Sequence, residues 1–301
     1  AHTGRTTIVS DAGNFPSDLY VLDAVAKRAG GDLRLAPEDA TPSEVERLLD
    51  DSVGLVALTP VSYRSGAMND GAAVTASAHR TGALMLWDLA HSVGAVEVDL
   101  RQWDADLAVG CTYKYLNGGP GSPGFLFVRS SLHSAMSQPI AGWFGHRNQF
   151  GFEATYDPDP SIRRFLVGTP SVLATEAAIG GIEVIAELGI EAIRAKNTSL
   201  TEFFIGALDD LGTADIEVIT PRSPDGRGAH VTVRHHDAGH LSLALRSRGV
   251  IVDHRAPDLV RFGFAAPYVS HRDAAVAALT LHDVIGAGSH RDFDPGSATV
   301  T

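Results

Sequence analysis

The sequence has 301 residues, 44% of them hydrophobic, so it is long enough to bury one large core or two modest ones. Its 36 acidic and 24 basic residues give a formal net charge of −12, which argues against nucleic acid or an anionic membrane surface as partner, because both bind basic surfaces. No run approaches the ~18 apolar residues of a transmembrane helix, and no signal-peptide pattern opens the chain. The single cysteine, Cys111, excludes an internal disulfide, so a reducing cytoplasmic location is expected.

The first elements alternate between strand and helix. Apolar runs predict strands over 6–10 and 53–59, and helical spacing predicts a helix over 19–30 with Asp18 as its N-cap. The segment Thr41-Pro-Ser-Glu44 predicts the start of another helix, because proline favours the first helical position and an acid suits the first turn. This alternation is typical of βαβ units that build a parallel sheet.

Two strands organise the middle of the chain. The run 83–87 predicts a buried strand that ends at Asp88, and the run 106–112 predicts a second strand that leads to Lys114. Ligands of parallel α/β sheets bind at the carboxyl ends of the strands. Asp88 and Lys114 are therefore expected to face one crevice.

The remaining pattern predicts a second domain. The further predicted helices cover 69–81, a stretch from about 91, 172–211, 238–249 and 271–285, and the further strands cover 125–128, 216–219, 230–234 and 259–264. The long helical stretch is interpreted as the crossing from a large domain, residues 1–170, to a small one, residues 171–288, with a polar tail over 289–301.

Three histidines in the second domain raise the question of a metal site. They are His235, His236 and His240. No acid or cysteine was recognised at ligand spacing, so they are assigned to a polar loop and a helix start, and no metal is expected.

A lysine facing an aspartate across such a crevice suits one cofactor in particular. The lysine amine forms an imine with the aldehyde of pyridoxal phosphate, and a carboxylate beside the pyridine nitrogen keeps that nitrogen protonated, so that the ring accepts carbanion electrons. Taken alone, the pair is equally compatible with a turn aspartate and a surface lysine.

The sequence around these two residues resembles the kynureninase family. The resemblance rests on Asp88-Leu-Ala-His-Ser-Val-Gly-Ala95, Gly110-Cys-Thr-Tyr-Lys-Tyr-Leu-Asn-Gly-Gly-Pro-Gly121, Gly142-Trp-Phe-Gly-His146 and Phe15-Pro-Ser-Asp18. It implies an α/β fold of the fold-type-I pyridoxal-phosphate enzymes, a mainly parallel sheet with helices on both faces, plus a small C-terminal α+β domain. The implied activity is hydrolysis of L-kynurenine to anthranilate and L-alanine in tryptophan degradation, by a homodimer with shared active sites.

The resemblance also assigns the cofactor site. The implied cofactor-binding residues are Phe15, Pro16, Ser17, Asp18, Thr59, Asp88, His91, Tyr113, Lys114, Trp143 and Thr169. Lys114, Tyr113 and Asp88 are implied to be catalytic, with Lys114 forming the imine and moving the Cα proton, and Tyr113 bonding the phosphate. The Gly118–Gly121 loop is expected to cradle an anion or to cross a subunit boundary.

The substrate side of the site is implied in the same way. Arg261 is expected to bind the substrate α-carboxylate, because its guanidinium fork pairs with both carboxylate oxygens. Trp143 and Thr169 are implied to line the aryl end, and Thr169 in place of asparagine implies a bacterial type that favours kynurenine over its 3-hydroxy form.

Other interpretations stay open. The sequence begins without methionine, and kynureninases carry a further N-terminal segment that supplies phosphate contacts, so a piece of a longer protein with weak cofactor binding is expected. A class-V aminotransferase or a cysteine desulfurase is an alternative, although a desulfurase needs a mobile cysteine and Cys111 lies in a predicted buried strand. A non-catalytic remnant of the fold is the third.

Overall fold

The computed structural model describes residues 4–294 and 296, and the chain divides into two compact units. Unit 1 comprises Ala1–Pro60, Asn69–Ala90 and Val98–Glu183, and unit 2 comprises Val61–Met68, His91–Glu97 and Val184–Thr301. Neither unit is one continuous range. The predicted domains 1–170 and 171–288 therefore stay a prediction.

Unit 1 is built on a six-stranded sheet. Its strands are β1 (Thr7–Asp11), β2 (Leu33–Ala36), β3 (Val53–Leu58), β4 (Leu84–Asp88), β5 (Leu107–Cys111) and β6 (Gly124–Val128). The order across the sheet is β2-β1-β3-β4-β5-β6, parallel except for the antiparallel β5–β6 pair. Parallel strands end at a common edge, so the segments after β1, β3, β4 and β5 start from the same side of unit 1.

The helices of unit 1 are α1 (Pro16–Arg28), α2 (Pro42–Glu46) and α3 (Gly71–Arg80), and α4 (Val172–Leu188) contains the boundary between the units. On α1, Leu22 packs against buried sheet residues, with Leu86 of β4 alongside. The indole of Trp87 instead donates to Thr75 Oγ1 of α3 at 3.2 Å. Because side chains alternate along a strand, Asp88 points to the same face as Leu86, which is the face of α1.

Unit 2 is a sheet with helices that share one core. Its strands are β7 (Glu217–Val218), β8 (His230–Arg234), β9 (Asp253–Arg255) and β10 (Leu259–Gly263), in the antiparallel order β7-β8-β10-β9, and its helices are α5 (Ile190–Leu211), α6 (Ala238–Ser247) and α7 (His271–Gly286). Phe204 of α5, Leu241 of α6 and Leu281 of α7 are buried with Val231 of β8 and Phe262 of β10.

The predicted fold class is confirmed, with local corrections. The helix predicted from about residue 91 is wrong, because residues 90–95 form turns and Gly94 takes φ +81°, which a continuing helix does not allow. Asp18 is not an N-cap, since α1 begins at Pro16 and its N-cap is Phe15. The strand β9 was not predicted, because its residues Asp253–Arg255 carry no apolar alternation.

Two further observations concern the ends of the chain and its helices. Of the predicted tail 289–301, a short 3₁₀ turn covers Ser289–Asp292, while 295 and 297–301 lie outside the described residues. Across the described part of the chain, no helix is both long enough and apolar enough to cross a bilayer.

Candidate active site

Two carboxyl groups meet at the carboxyl edge of the unit 1 sheet. Asp88 is the last residue of β4, and its Oδ1 accepts a hydrogen bond from the backbone N–H of Ala90 at 2.9 Å. Asp18 lies in the first turn of α1, on the sheet face to which Asp88 points. The two side chains interact electrostatically, since the charge of Asp88 raises the pKa of Asp18. Two neighbouring carboxyl groups favour the retention of a proton on one of them.

The electrostatics decide which acid keeps the proton. The pKa of Asp18 is raised from 3.8 to about 7, first by burial and then by the charge of Asp88, with Lys114 opposing. The pKa of Asp88 is also raised by burial, but the Ala90 N–H bond, the Lys114 charge and Asp18 oppose the rise. Of the two acids, Asp88 therefore ionises first, and Asp18 keeps a proton up to about pH 7.

The positive charge of Lys114 opposes the rise in the pKa of both carboxyl groups. It follows the end of β5 by three residues, and its Nζ lies 5.8 Å from the ring centre of Phe15 and 5.4 Å from that of Tyr113. Tyr113 is half-exposed, and burial followed by the neighbouring Cys111 raises its pKa. An amine, an aromatic ring and a phenol thus surround one space beside the paired acids.

Hydrogen bonds to β3 fix the loop that carries Phe15. Ser10 Oγ donates to the carbonyl oxygen of Ala57 at 2.7 Å, and Asn14 Nδ2 donates to Ser10 Oγ at 3.1 Å. The side-chain oxygen of Asn14 accepts from the backbone N–H of Phe15 at 2.7 Å. This chain of bonds sets where α1 begins, and with it the position of Asp18.

An open pocket of about 190 Å³ borders the paired acids within unit 1. Asn14, Asp18 and Asp88 give it a polar wall, and Leu86 and Val109 contribute to an apolar one. The pocket therefore offers both a flat apolar surface and a negatively charged group to a small ligand.

Three other residues predicted to bind the cofactor are placed by the same elements. Pro16 and Ser17 open α1 and are exposed, while Thr59 is buried directly after β3. The carbonyl oxygen of Thr59 accepts from Asn69 Nδ2 at 2.9 Å, which fixes the backbone at this strand end. Their contacts with a cofactor stay a prediction.

The Gly118–Gly121 loop is a tight return between β5 and β6. A Cβ on Gly118 would lie 2.9 Å from the carbonyl oxygen of Thr112, and Gly119 and Gly121 take φ +76° and +82°. Only glycine adopts such a path readily. The anion-binding and intersubunit roles predicted for this loop remain predictions.

Trp143 and Thr169 lie on two segments that touch each other within unit 1. The indole of Trp143 is 42% exposed and packs edge-on against Phe150 with ring centres 5.9 Å apart. Thr169 is exposed in the segment before α4. A Cβ on Gly142 would lie 1.8 Å from the carbonyl oxygen of Val167, so the loop of Trp143 rests directly on the segment of Thr169.

Arg261 is the centre of a separate cluster in unit 2. The β9–β10 register places it directly opposite Asp253, and its Nη2 and Nε donate to Asp253 Oδ2 at 2.5 and 3.2 Å. Its Nη1 donates to the carbonyl oxygen of Tyr63 at 2.7 Å and to Nε2 of His91 at 3.3 Å. The guanidinium fork predicted to bind a substrate carboxylate already holds a carboxylate of the same unit.

A second arginine and a buried histidine border this cluster. Arg255 Nη2 lies 3.4 Å from Asp253 Oδ2. His230 is buried, and neither ring nitrogen makes a hydrogen bond of normal geometry to the described residues. Burial, followed by the charges of Arg261 and Arg255, keeps the pKa of His230 well below its ordinary value. His230 is therefore neutral.

Two functional contacts escaped the sequence analysis. Asp253 was not recognised as the partner of Arg261, because the hairpin that makes them neighbours includes the unpredicted strand β9. Asn14, which orients Phe15, sits in a loop without periodicity. The sequence offers one signal for its role. Asn14 lies four residues after Ser10 of β1 and directly before Phe15-Pro16.

Comparisons with known proteins decide the family. Residues 193–281 match the family described as the kynureninase C-terminal domain. Over 288 residues, the chain is 41% identical to the kynureninase of Burkholderia mallei strain SAVP1, an alignment that covers 95% of this chain and 69% of that protein. The chain belongs to the kynureninase family. The family predicted from the strand-end motifs is confirmed.

Solved structures agree on the fold. The apo cysteine desulfurase of Thermococcus onnurineus NA1 aligns with a TM-score of 0.80 and 20% identity, over 94% of this chain and 73% of that one. A variant of C-DES with glycine covalently linked to its PLP cofactor aligns with a TM-score of 0.80 and 18% identity, over 94% and 78%. At such identities the likeness concerns architecture alone, and it confirms the predicted fold type.

Proposed function

We propose that this kynureninase-family chain catalyses the pyridoxal-phosphate-dependent hydrolysis of L-kynurenine to anthranilate and L-alanine. The observation that carries the proposal is the 41% identity to a kynureninase over 95% of the chain. The arrangement of Lys114 beside the Asp18–Asp88 pair supports it from the structure.

The residues at the carboxyl edge of unit 1 fit pyridoxal phosphate. When bound, this cofactor supplies an electrophilic carbon for amines and a pyridinium ring that accepts the electrons of a carbanion. Asp88, the ionised member of the acid pair, would hold the proton on the pyridine nitrogen, and protonated Asp18 would donate to Asp88. Phe15 would lie against the ring, and Lys114 would bind the cofactor at rest.

Each catalytic residue then has a proton to hold or move. Lys114, once displaced by the substrate amine, would take the proton from the substrate Cα and return one later. The hydroxyl of Tyr113 would donate to the phosphate and relay protons beside Lys114. Asp88 would stay ionised throughout, because its stabilising contacts come from a backbone N–H and a cation.

Substrate binding would use the groups that sequence reasoning assigned. Arg261 would bind the α-carboxylate, for which Asp253 must release part of the guanidinium fork. Trp143 and Thr169 would line the aryl end, and the contact between their segments supports a common role. His91, which the resemblance assigned to cofactor binding, accepts from Arg261 at Nε2 and would also help to orient that guanidinium.

We also propose a cytoplasmic homodimer whose active sites are shared between subunits. The exposed apolar side chains Trp143, Phe152 and Leu173 of unit 1, with Phe152 at 81% and Leu173 at 85% exposure, support an interface. The one cysteine of the chain suits a reducing compartment. Sedimentation should give a dimer at micromolar concentration, and a fully active monomer would contradict this.

One experiment tests the function and the central residue together. The protein is loaded with pyridoxal phosphate, assayed for anthranilate release from L-kynurenine, then reduced with borohydride and mapped by peptide mass. We expect turnover and a label on Lys114, with Lys114→Ala losing at least ~10³-fold in rate. Lys27 and Lys196 are the other lysines of the sequence, so a label on either contradicts the assignment.

The same assay separates the alternatives. Sulfide release from cysteine would indicate a desulfurase, although Cys111 stands within the sheet at the end of β5. Amino transfer without anthranilate would indicate an aminotransferase. Absence of any cofactor absorbance would favour a non-catalytic member of the family.

A further inference from the structure

Three histidines surround one carboxylate at the start of α6 in unit 2. Asp237 occupies the N-cap position of α6, but its side chain makes no capping hydrogen bond. Its Oδ2 instead lies 3.2 Å from Nε2 of His236 and 3.2 Å from Nε2 of His290. His235, His236 and Asp237 each place one potential ligand atom within 4.8 Å of the other two. The sequence analysis overlooked Asp237 as the acid at ligand spacing.

His290 is oriented as metal-bound histidines usually are. Its ring is buried, and Nδ1 lies 3.4 Å from the carbonyl oxygen of Val284. A proton on Nδ1 leaves a lone pair on Nε2 aimed at the carboxylate of Asp237. Ligating histidines commonly donate their second N–H to a carbonyl in this way. Nε2 lies 3.2 Å from Asp237 Oδ2, so the space between them holds either the Nε2 proton of a hydrogen bond or a metal ion.

His235 plays a supporting part. Its Nδ1 accepts the backbone N–H of Asp237 at 2.9 Å, so the neutral ring carries its proton on Nε2 and offers no free lone pair there. The ring stacks on His236 with centres 4.3 Å apart and meets His290 edge-on at 5.5 Å. His235 therefore packs against the other two imidazoles without offering a ligand atom.

We propose that His236, Asp237 and His290 bind a zinc ion, with water as the fourth ligand. In tetrahedral zinc with bonds of about 2.0–2.1 Å, neighbouring ligand atoms are about 3.3 Å apart, close to the 3.2 Å that separates each Nε2 from Asp237 Oδ2. His236 is 64% exposed and free of core packing, so it can turn to complete the tetrahedron. Two imidazoles and one carboxylate suit zinc rather than magnesium or calcium.

Zinc at this site would link two segments of unit 2, and a neighbouring arginine would compete with the ion for Asp237. Zinc would tie the 3₁₀ turn Ser289–Asp292 to the start of α6, independently of the proposed reaction. The guanidinium of Arg291 also approaches Asp237, with Nε 3.9 Å from Oδ2. Its positive charge competes with the ion, so the arginine sets how tightly zinc is held.

Zinc titration of the full chain against a chromophoric chelator tests the proposal. We expect one ion per chain that Mg²⁺ and Ca²⁺ do not displace, and at least ~10-fold weaker binding in Asp237→Asn and in His236→Gln. His240→Gln is the matched control, because His240 lies on α6 but bonds the carbonyl oxygen of Phe293. It should bind zinc as the parent does, and Arg291→Gln should bind a few-fold more tightly.

Thermal unfolding supplies the second readout. Zinc at 100 times its dissociation constant should raise the midpoint in the parent and in His240→Gln, but not in Asp237→Asn or His236→Gln. Zinc binding that survives both ligand variants, or none in the parent at micromolar zinc, overturns the proposal. In that case the space between His290 and Asp237 holds a proton.

Discussion

The carboxyl edge of unit 1 and the Arg261 cluster of unit 2 use charge in opposite ways. In unit 1, two acids face one lysine, and burial raises the pKa of both Asp18 and Asp88. In unit 2, burial would raise the pKa of Asp253, but the neighbouring Arg261 and Arg255 lower it overall. In unit 1, Asp18 keeps a proton at a pH where an ordinary aspartate is ionised. In unit 2, Asp253 stays ionised because arginines neutralise its charge.

The contrast separates two tasks of the proposed reaction. An acid with a pKa of about 7, Asp18, beside a second acid and an amine is suited to holding and moving protons. An arginine whose fork is already filled by a carboxylate is suited to exchanging that carboxylate for another. Substitutions should therefore change turnover through unit 1 and binding through unit 2.

The largest effect is expected at the ionised acid of the pair. Asp88→Asn should lower kcat by about 10²–10³-fold, because a neutral amide cannot keep the pyridine nitrogen protonated, while borohydride still labels Lys114. Steady-state anthranilate release with peptide mapping measures both. Asp18→Asn is the matched control, since Asp18 already carries the proton, and equal losses in the two variants would sink the division of roles.

The next effect concerns the guanidinium. Arg261→Ala removes two charge-assisted hydrogen bonds to the substrate carboxylate, each net ~1.5–3 kcal/mol, so kcat/KM should fall at least ~100-fold. Labelling of Lys114, which belongs to unit 1, should be unchanged. Arg261→Lys should recover only part of the loss, because an ammonium lacks the fork. Full recovery would mean that charge alone matters.

The sequence predicted the secondary-structure elements better than it predicted the contacts between side chains. Eight of the ten strands within residues 4–294 follow from apolar runs, while β2 and β9 were not predicted. The positions of Asp88 and Lys114 follow from their places after two of the predicted strands. The role of Asp18 depends on a third segment folding back, and a cap was the local interpretation. The pairing of Arg261 with Asp253 depends on strand register, which a three-residue polar strand does not reveal.

A smaller effect should follow from removing the carboxylate that occupies the Arg261 guanidinium. Asp253→Asn leaves Arg261 without its internal carboxylate, so the KM for kynurenine should fall by up to about fivefold, the equivalent of the ~0.2–1 kcal/mol of a half-exposed ion pair. The value of kcat should hardly change. Asp258→Asn, which removes the acid paired with Arg234 in the same hairpin, is the control. A higher KM would show that Asp253 positions the arginine instead of competing for it.

A pH-dependent change in stability, rather than in activity, is expected at Asp18. Its pKa is about 7 in the folded protein against 3.8 as a model acid, so the folded state binds the proton more tightly. The stabilisation is fully present below pH 3.8 and is lost as pH rises through about 7. Asp18→Asn imitates the protonated acid and keeps a donor for Asp88, so it should be more stable than the parent at pH 8.

Because Asp18 is partly exposed, solvent screening reduces the expected gain to about 1 kcal/mol, or roughly 2–4 °C in the unfolding midpoint. Thermal unfolding of cofactor-free protein at pH 5 and pH 8, at one ionic strength, measures it. The gain should shrink towards pH 5, where the folded parent is itself protonated. Asp23→Asn, an exposed acid of the same helix paired with Lys27, should show no such dependence. A gain of equal size at both pH values would mean that the introduced amide acts through packing. The pKa of Asp18 would then not be raised in the folded protein.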